Sequence, residues 1–456
     1  ETASESGSGL FRWPDAENLV RQGNTTVIGG PDGWSPLPLE DAFKRVEANP
    51  AAVNFGAFVG HGAVRTAVVG LEDRPPTNDE LESMRGVVDR AMREGAFGLS
   101  SGLVYTPGQF ADTTEVVELA KVAGRHGGIY ISHMRNEALE VMDSVAELIR
   151  IAEAADIPAQ VTHAKLMGTA MQGRAPELLA MVDEAVEKGL DITLDQYPYA
   201  AGRTSLMVQF PRWSVDGGSN ELSVRLTDPE QAKRIHAELV YQLKNVRGRN
   251  DPANVQLSQY NSDPSLNGLN LAQVLDDRGE AVTIENAASL IMELQLNGGG
   301  QAIYHSMHPD DVETIMRHPR TMVASDGAIE STGVGHPHPR TYGSFARALG
   351  RYARDKGVIP FHTAIHKMTQ MPAERIGLTD RGRIAPGMVA DIAVIDPEAF
   401  IDRATFDDPH QYAEGALHVF VAGEAVLLNR EMTGARPGRV LRSTSFQTTS
   451  EENTAQ

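Results

Sequence analysis

The sequence predicts an α/β fold built on a closed barrel of parallel strands, a TIM-type (β/α)8 barrel. From about residue 20 to residue 210, short apolar runs alternate with amphipathic stretches that carry apolar residues at i, i+3 and i+4. Strands that alternate with helices form parallel sheets. The number of such units, in a chain of 456 residues, favours one large closed barrel over an open sheet or a row of small modules.

The individual elements follow from this alternation. We predict barrel strands at residues 25–28, 53–59, 98–100, 128–132, 158–162, 191–195, 301–304 and 321–325. We predict helices between them at residues 78–94, 112–125, 138–155, 175–188 and about 341–356.

Three further segments complete the predicted organisation around a barrel of residues 1–380. The alternation fails in a polar stretch at about 208–300, which we interpret as an inserted, lid-like subdomain rising from a βα loop. Short strands and turns predict a small β domain at 381–442. Residues 443–456 are rich in Ser, Thr, Glu and Gln, which predicts a disordered tail.

Composition limits the possible partners and chemistry. The chain has 61 acidic and 41 basic residues and no basic stripe, which excludes a nucleic-acid partner. Because it has no cysteine, a metal must be held by His, Asp, Glu or a modified Lys. No apolar run approaches the roughly 20 residues that span a bilayer, so we expect no membrane partner and a cytoplasmic location. The first residue is Glu1 and not Met, which leaves a removed export leader open.

Polar residues follow the predicted strands at the end where a barrel of this type opens its active site. These residues are Asp32, His61, His133, His163, Asp195 and Asp326. A histidine at a strand end is often a hydrogen-bonded structural residue, and we assign structural roles to His61 and Asp195. For Asp32 the alternative is a loop-stabilising Asp-Gly turn. Several imidazoles and carboxylates at one barrel mouth supply the ligands that zinc prefers, with an open position for water.

Several sequence blocks resemble one family. The block His133-Met134-Arg135-Asn136-Glu137 resembles the HMR-x-E block of the D-aminoacylase branch of the amidohydrolase superfamily, whose members are N-acyl-D-amino-acid deacylases. Further similar blocks, in family order from about residue 20 to residue 440, are 21–27, 59–61, 162–168, 195–199, 325–327, 338–343 and 381–391.

The resemblance implies roles for particular residues. It implies that His133 and His163 bind the metal and that Asp326 transfers protons. It also implies that Tyr105, Lys165 and Arg340 contact a small-molecule N-acyl amino acid, and it leaves the oligomeric state open. By its charge Asp32 is a plausible third ligand, which gives one zinc ion with an open coordination position.

The sequence departs from the family pattern in three places. The family usually places a metal-ligating Cys where this chain has Asp32. It also opens its barrel with a His-x-His pair, for which this sequence has only Ala3-Ser4-Glu5. By the same resemblance, we expect the N-terminal half of the small β-sandwich domain to be missing from this sequence. We therefore expect one zinc and no ligand pair for a second ion.

The predicted reaction is hydrolysis of the amide bond of N-acyl-D-amino acids. A single zinc can polarise the carbonyl and activate water, and Asp326 would act first as general base and then as general acid. One alternative is cyclic-amide hydrolysis, as in hydantoinase- and dihydroorotase-like relatives, although Arg340 and Lys165 form a clamp for a free carboxylate that a hydantoin lacks. The other alternative is a catalytically inactive binding protein, which the missing His-x-His pair and Cys suggest.

Overall fold

The computed structural model describes residues 8–443 and residue 446. The stretch 3–5, discussed above for its missing histidine pair, lies outside these residues. So does the tail predicted to be disordered, 443–456, apart from Ser443 and Phe446.

The body of the molecule is a barrel of parallel strands, as the sequence predicted. Its strands are β1 (Thr26–Gly29), β2 (Asn54–Ala57), β3 (Val59–Gly60), β4 (Gly98–Gly102), β5 (Ile129–His133), β6 (Ala159–Val161), β7 (Ile192–Gln196) and, after an insertion, β11 (Thr321–Val323). The strands β2 and β3 are one strand interrupted at Phe58, whose N–H donates to the Gly29 carbonyl. Each strand pairs in parallel with its neighbour in the order β1-β2 and β3-β4-β5-β6-β7-β11. Within the described part of the chain, the barrel therefore has seven strand positions.

Helices surround these strands because their apolar stripes pack against the barrel. Helix α5, for example, begins with a capping box between Thr77 and Glu80 and buries Met84, Val88 and Met92. The helices are α1 (Ser8–Arg12), α2 (Glu17–Val20), α3 (Leu39–Ala48), α4 (His61–Val68), α5 (Asn78–Glu94), α6 (Thr113–Arg125), α7 (Val141–Ala155), α8 (Ala175–Glu187), α9 (Ser219–Thr227), α10 (Pro229–Asn245), α11 (Leu271–Asp277), α12 (Ile284–Leu296), α13 (Pro309–Arg317), α14 (Arg340–Arg347), α15 (Phe361–Met368) and α16 (Gln370–Arg375). A π-helical segment, Ala348–Asp355, continues α14.

The segment between β7 and β11 folds around a hydrophobic core of its own. Strands β8 (Gly202–Ser205), β9 (Val255–Gln259) and β10 (Gln301–Tyr304) form an antiparallel sheet in the order β8-β10-β9, covered by α9 to α12. The assignment of residues 301–304 to the barrel was therefore wrong. A short apolar run predicts a strand without identifying its partner, and this one pairs with β8 and β9.

The last part of the chain forms a four-stranded antiparallel sheet. Its strands are β12 (Ile392–Ile395), β13 (Ala416–Val421), β14 (Glu424–Leu428) and β15 (Glu431–Met432), paired in sequence order. Asp391 joins this sheet to the barrel, since its carboxylate accepts a hydrogen bond from the Asn54 side chain at 2.9 Å. The domain limits given above stay a prediction.

Among the helices between residues 8 and 443, we find none with both the length and the apolar character that crossing a membrane requires. The cytoplasmic location stays a prediction.

Candidate metal centre and active site

The barrel brings four of the predicted site residues together at the carboxyl ends of its strands. His133 is the last residue of β5, His163 lies two residues after β6, and Asp32 and Asp326 lie three residues after β1 and β11. All four are buried. Asp32 reaches its place because the loop after β1 packs on the end of β4 at Gly102, where a Cβ atom would collide with the Asp32 carbonyl oxygen.

Asp32, His133 and His163 form a set of candidate metal ligands. One nitrogen or oxygen from each lies within 4.8 Å of the others. Asp32 Oδ1 is 3.1 Å from His163 Nε2, and Asp32 Oδ2 is 3.7 Å from His133 Nδ1. Two imidazoles and one carboxylate are ligands that zinc accepts, and they leave a fourth position open. The residues present therefore fit a catalytic zinc.

Glu137 lies on the far side of both histidines, and no role is predicted for it from the sequence. Its carboxylate oxygens are 3.3 Å from His133 Nε2 and 3.2 Å from His163 Nδ1, the ring nitrogens that face away from Asp32. The Lys165 ammonium also donates to Glu137. A carboxylate behind a ligating histidine fixes the ring and its tautomer. We call Asp32, His133, His163 and Glu137 the cavity cluster.

The charges of the cavity cluster stabilise one another. Burial opposes the ionised form of Asp32, but His163 and His133 outweigh it, so the pKa of this carboxyl lies well below its ordinary value. Burial likewise opposes ionisation of Glu137, yet His133, Lys165 and His163 hold its pKa well below the usual range. Both carboxylates are therefore ionised at neutral pH, as ligation and histidine orientation require.

Three of these strand-end residues have left-handed backbone conformations. The φ angles are +57° at Asp32, +39° at His163 and +46° at Asp326. Such angles are uncommon outside glycine and persist only where surrounding contacts impose them. At His163 the contact is Asp195, whose carboxylate accepts the His163 backbone N–H at 2.6 Å. Asp195 thus has a structural position, holding a candidate ligand.

Asp326 lies against Arg340. Arg340 Nη1 is 2.6 Å from Asp326 Oδ2, and its Nη2 donates to the Arg203 carbonyl at 3.3 Å. The guanidinium also stacks over the Tyr197 ring, 4.7 Å from its centroid. Arg340 therefore keeps a positive charge beside the predicted proton-transferring carboxylate.

Tyr105 and Lys165, the other predicted substrate contacts, lie beside the histidines. The Tyr105 hydroxyl is 3.3 Å from His133 Nδ1 and accepts from Thr204 Oγ1 at 3.2 Å. Lys165 Nζ is 2.7 Å from His163 Nδ1. Both residues line a cavity of about 610 Å³, together with Asp32, His133, Asp326 and Arg340. The structure thus brings together all seven predicted site residues.

His61, to which the sequence analysis gave a structural role, is not part of this cavity's lining. It is fully buried, and its Nε2 is 2.8 Å from Glu115 Oε1. Arg65 donates to the other Glu115 oxygen. We call His61, Arg65 and Glu115 the His61 cluster.

A barrel of parallel strands with imidazole and carboxylate side chains that converge at the carboxyl ends of its strands is the arrangement expected of a metal-dependent amidohydrolase. Residues 269–427 match the model of the Amidohydrolase family. The chain is 34% identical over 459 aligned positions to a D-aminoacylase from Alcaligenes xylosoxydans xylosoxydans, and the match covers 96% of this chain and 84% of the relative. It is 33% identical over 423 residues to an N-acyl-D-glutamate deacylase from the same organism, with coverages of 92% and 76%. The chain belongs to the D-aminoacylase family.

Solved structures agree with this assignment. A crystal structure of D-aminoacylase matches with a TM-score of 0.81 at 31% identity, covering 97% of this chain and 88% of the other. A second match is the structure of an N-acyl-D-glutamate deacylase from Bordetella bronchiseptica, complexed with zinc and a phosphonate inhibitor. Its TM-score is 0.80 at 30% sequence identity, and the match covers 96% of this chain and 87% of the other. A D-hydantoinase structure matches with a TM-score of 0.53 at 12% sequence identity, which is a similarity of fold alone. The predicted family, fold class and class of enzyme are confirmed.

Proposed function

We propose that this protein hydrolyses the amide bond of N-acyl-D-amino acids to a D-amino acid and a carboxylate. The observation that carries the proposal is the convergence of Asp32, His133 and His163, next to a cavity that Asp32, His133 and Asp326 line. The relatives at 32% to 34% identity are deacylases of N-acyl-D-amino acids, which supports linear and not cyclic amides as substrates.

The metal in this proposal is one zinc ion held by Asp32, His133 and His163. When bound, zinc supplies a Lewis acid that polarises the scissile carbonyl and makes water a better nucleophile. One ion supplies this chemistry, and in D-aminoacylase, whose metal centre is binuclear, one metal activates and a second attenuates.

The chain's own residues supply the proton transfers. Asp326 accepts a proton from the attacking water and returns it to the leaving nitrogen. Arg340 Nη1 lies 2.6 Å from Asp326 Oδ2 and places a positive charge beside this carboxylate. Asp326 lines the cavity but is only 6% exposed, so few water molecules besides the attacking one can reach its carboxylate.

The same cavity holds the groups that orient the substrate. A guanidinium has five N–H groups, so Arg340 can bind the α-carboxylate while it holds Asp326. Lys165 adds a second positive charge, and the Tyr105 hydroxyl, 3.3 Å from His133 Nδ1, offers a hydrogen bond to a substrate in the same cavity. With carboxylate and carbonyl both fixed, one configuration at the α-carbon is preferred, and the family relationship makes it D.

The test is a panel of N-acetyl D- and L-amino acids, assayed with the zinc-loaded protein and with protein stripped by a chelator. We expect hydrolysis of the D series, little of the L series, and loss of activity on stripping that zinc restores. No hydrolysis of any member by a protein that retains zinc would favour the inactive binding protein. Turnover of a hydantoin in preference to the linear amides would favour a cyclic-amide hydrolase.

A further inference from the structure

The inserted subdomain contributes a positively charged side chain to the cavity. Arg247 lies two residues beyond helix α10, lines the cavity and is only 7% exposed. An arginine carries its charge at every physiological pH. Its nearest surroundings therefore decide whether that charge is compensated within the protein.

The contacts of Arg247 do not compensate its charge. Arg247 Nη1 is 3.7 Å from the sulfur of Met167, a weak acceptor, and the guanidinium lies 5.3 Å from the Tyr304 ring centroid. Between residues 8 and 443 these are its side-chain partners, and no carboxylate pairs with it within 4 Å. A buried cation without an anionic partner is costly unless a ligand supplies the anion.

Each of the other arginines that line the cavity has a carboxylate, hydrogen-bonding or aromatic partner or is exposed to solvent. Arg340 is paired with Asp326. Arg203 donates to the Ser258 hydroxyl at 2.7 Å and to the Gln259 side chain at 3.4 Å. Arg12 is exposed and stacks on Trp13. Although the chain carries a net charge of -20, Arg247 is left beside a thioether and an aromatic ring.

Arg247 also lies within reach of a substrate bound at the cavity cluster. Its neighbour Met167 follows Lys165 by two residues, at most about 7 Å along the chain. Lys165 in turn contacts His163. Arg247, Met167 and Lys165 line the same cavity as Asp32 and His133. A substrate in this cavity can therefore place its amide at the metal ligands and a more distant group beside Arg247.

We infer that Arg247 binds a second carboxylate of the substrate, so that the preferred substrates are N-acyl-D-amino acids with two carboxylates. A guanidinium binds a carboxylate through two parallel hydrogen bonds, which supplies both the missing anion and a fixed orientation. The second carboxylate comes either from an acidic side chain or from a dicarboxylic acyl group. This inference rests on the proposed function.

The experiment compares kcat/KM of the zinc-loaded protein for three substrates. N-acetyl-D-glutamate carries the second carboxylate on the side chain, N-succinyl-D-methionine carries it on the acyl group, and N-acetyl-D-methionine lacks it. We expect Arg247→Gln to lower kcat/KM about 10- to 100-fold for one dicarboxylate and less than about 3-fold for N-acetyl-D-methionine. The dicarboxylate that is affected identifies the source of the second carboxylate.

Two further variants separate recognition from structure. Arg247→Lys keeps the charge and should recover part of the lost dicarboxylate activity. Arg249→Gln removes an arginine two residues on that does not line the cavity, and it should leave all three rates unchanged.

Equal losses on all three substrates, or no loss on either dicarboxylate, would overturn the inference while leaving the proposed function in place. Failure of the parent protein to hydrolyse N-acetyl-D-methionine and both dicarboxylates would overturn the proposed function and this inference with it.

Discussion

Two buried clusters in this molecule contain a histidine close to a carboxylate at the end of a barrel strand, yet they differ in what surrounds them. In the His61 cluster both oxygens of Glu115 are occupied, one by His61 and one by Arg65. In the cavity cluster, Asp32 faces two imidazoles across a space that opens into the cavity.

The difference lies in which group supplies the positive charge. Burial opposes ionisation of Glu115, but His61 and Arg65 outweigh it and lower the pKa of the carboxyl. A protein cation thus completes the His61 cluster. Within the part of the chain that the structure describes, the charged partners of Asp32 are His133 and His163, and a metal ion would complete that set. A histidine near a carboxylate is therefore weak evidence for a metal site, whereas three ligand atoms converging on a cavity are strong evidence.

The largest expected effect is on metal binding. His163→Ala removes one of three candidate ligands, and we expect the protein to lose zinc and kcat/KM on N-acetyl-D-methionine to fall by about 10³-fold or more, since the metal contributes several kcal/mol of transition-state stabilisation. Elemental analysis and steady-state rates measure both. The matched variant, His61→Ala, should keep its zinc. A His163→Ala protein with a full zinc ion would remove His163 from the ligand set.

The His61 cluster should show its importance in stability. Glu115→Gln leaves the buried guanidinium of Arg65 without a counter-charge, which costs about 3 to 5 kcal/mol in comparable buried pairs. We expect a lower free energy of unfolding in denaturant, with zinc content unchanged. Loss of zinc from a folded Glu115→Gln protein would show that the two clusters are not independent.

We expect a substitution at Asp326 to impair proton transfer without affecting zinc binding. Asp326→Asn keeps the size of the side chain and removes its ability to accept a proton, so turnover should fall by at least about 10²-fold. Zinc content and fold should be retained, as elemental analysis and circular dichroism would report. A variant with near-normal kcat would exclude Asp326 from the mechanism.

Glu137 tests whether the cavity cluster needs a carboxylate behind its histidines. Glu137→Gln preserves shape while removing the charge that Lys165 and both histidines face, and we expect zinc affinity to fall about 10- to 100-fold. Competition with a chelator of known affinity measures this. An unchanged zinc affinity would show that Glu137 pairs with Lys165 but does not support the metal ligands.

The sequence predicts a site residue where that residue lies next to a recognisable strand, and it misses one that only tertiary structure brings to the site. The strand-end rule located His133, His163 and Asp326 because each directly follows a recognisable strand of the alternating pattern. Glu137 stands in the same sequence block as His133, but it was missed because loop geometry alone brings it behind both rings. Arg247 was missed for a similar reason, since an antiparallel sheet and helix in the insertion carry it to the cavity. Strand pairing between distant segments cannot be read from short apolar runs.

The smallest expected effect concerns Arg340, the residue proposed to bind the α-carboxylate of the substrate. Arg340→Lys keeps a positive charge near Asp326, but a lysine cannot bind the α-carboxylate through two parallel bonds or stack over Tyr197 as a planar guanidinium does. We expect kcat/KM to fall about 10-fold, with the preference for N-acetyl-D- over N-acetyl-L-methionine reduced, because loss of one bidentate contact costs about 1 to 2 kcal/mol. The matched change in the His61 cluster, Arg65→Lys, should lower stability and leave the D to L ratio unaltered, because Arg65 does not line the cavity. If Arg340→Lys matches the parent on both enantiomers, the carboxylate is held elsewhere, and Lys165 becomes the residue to change next.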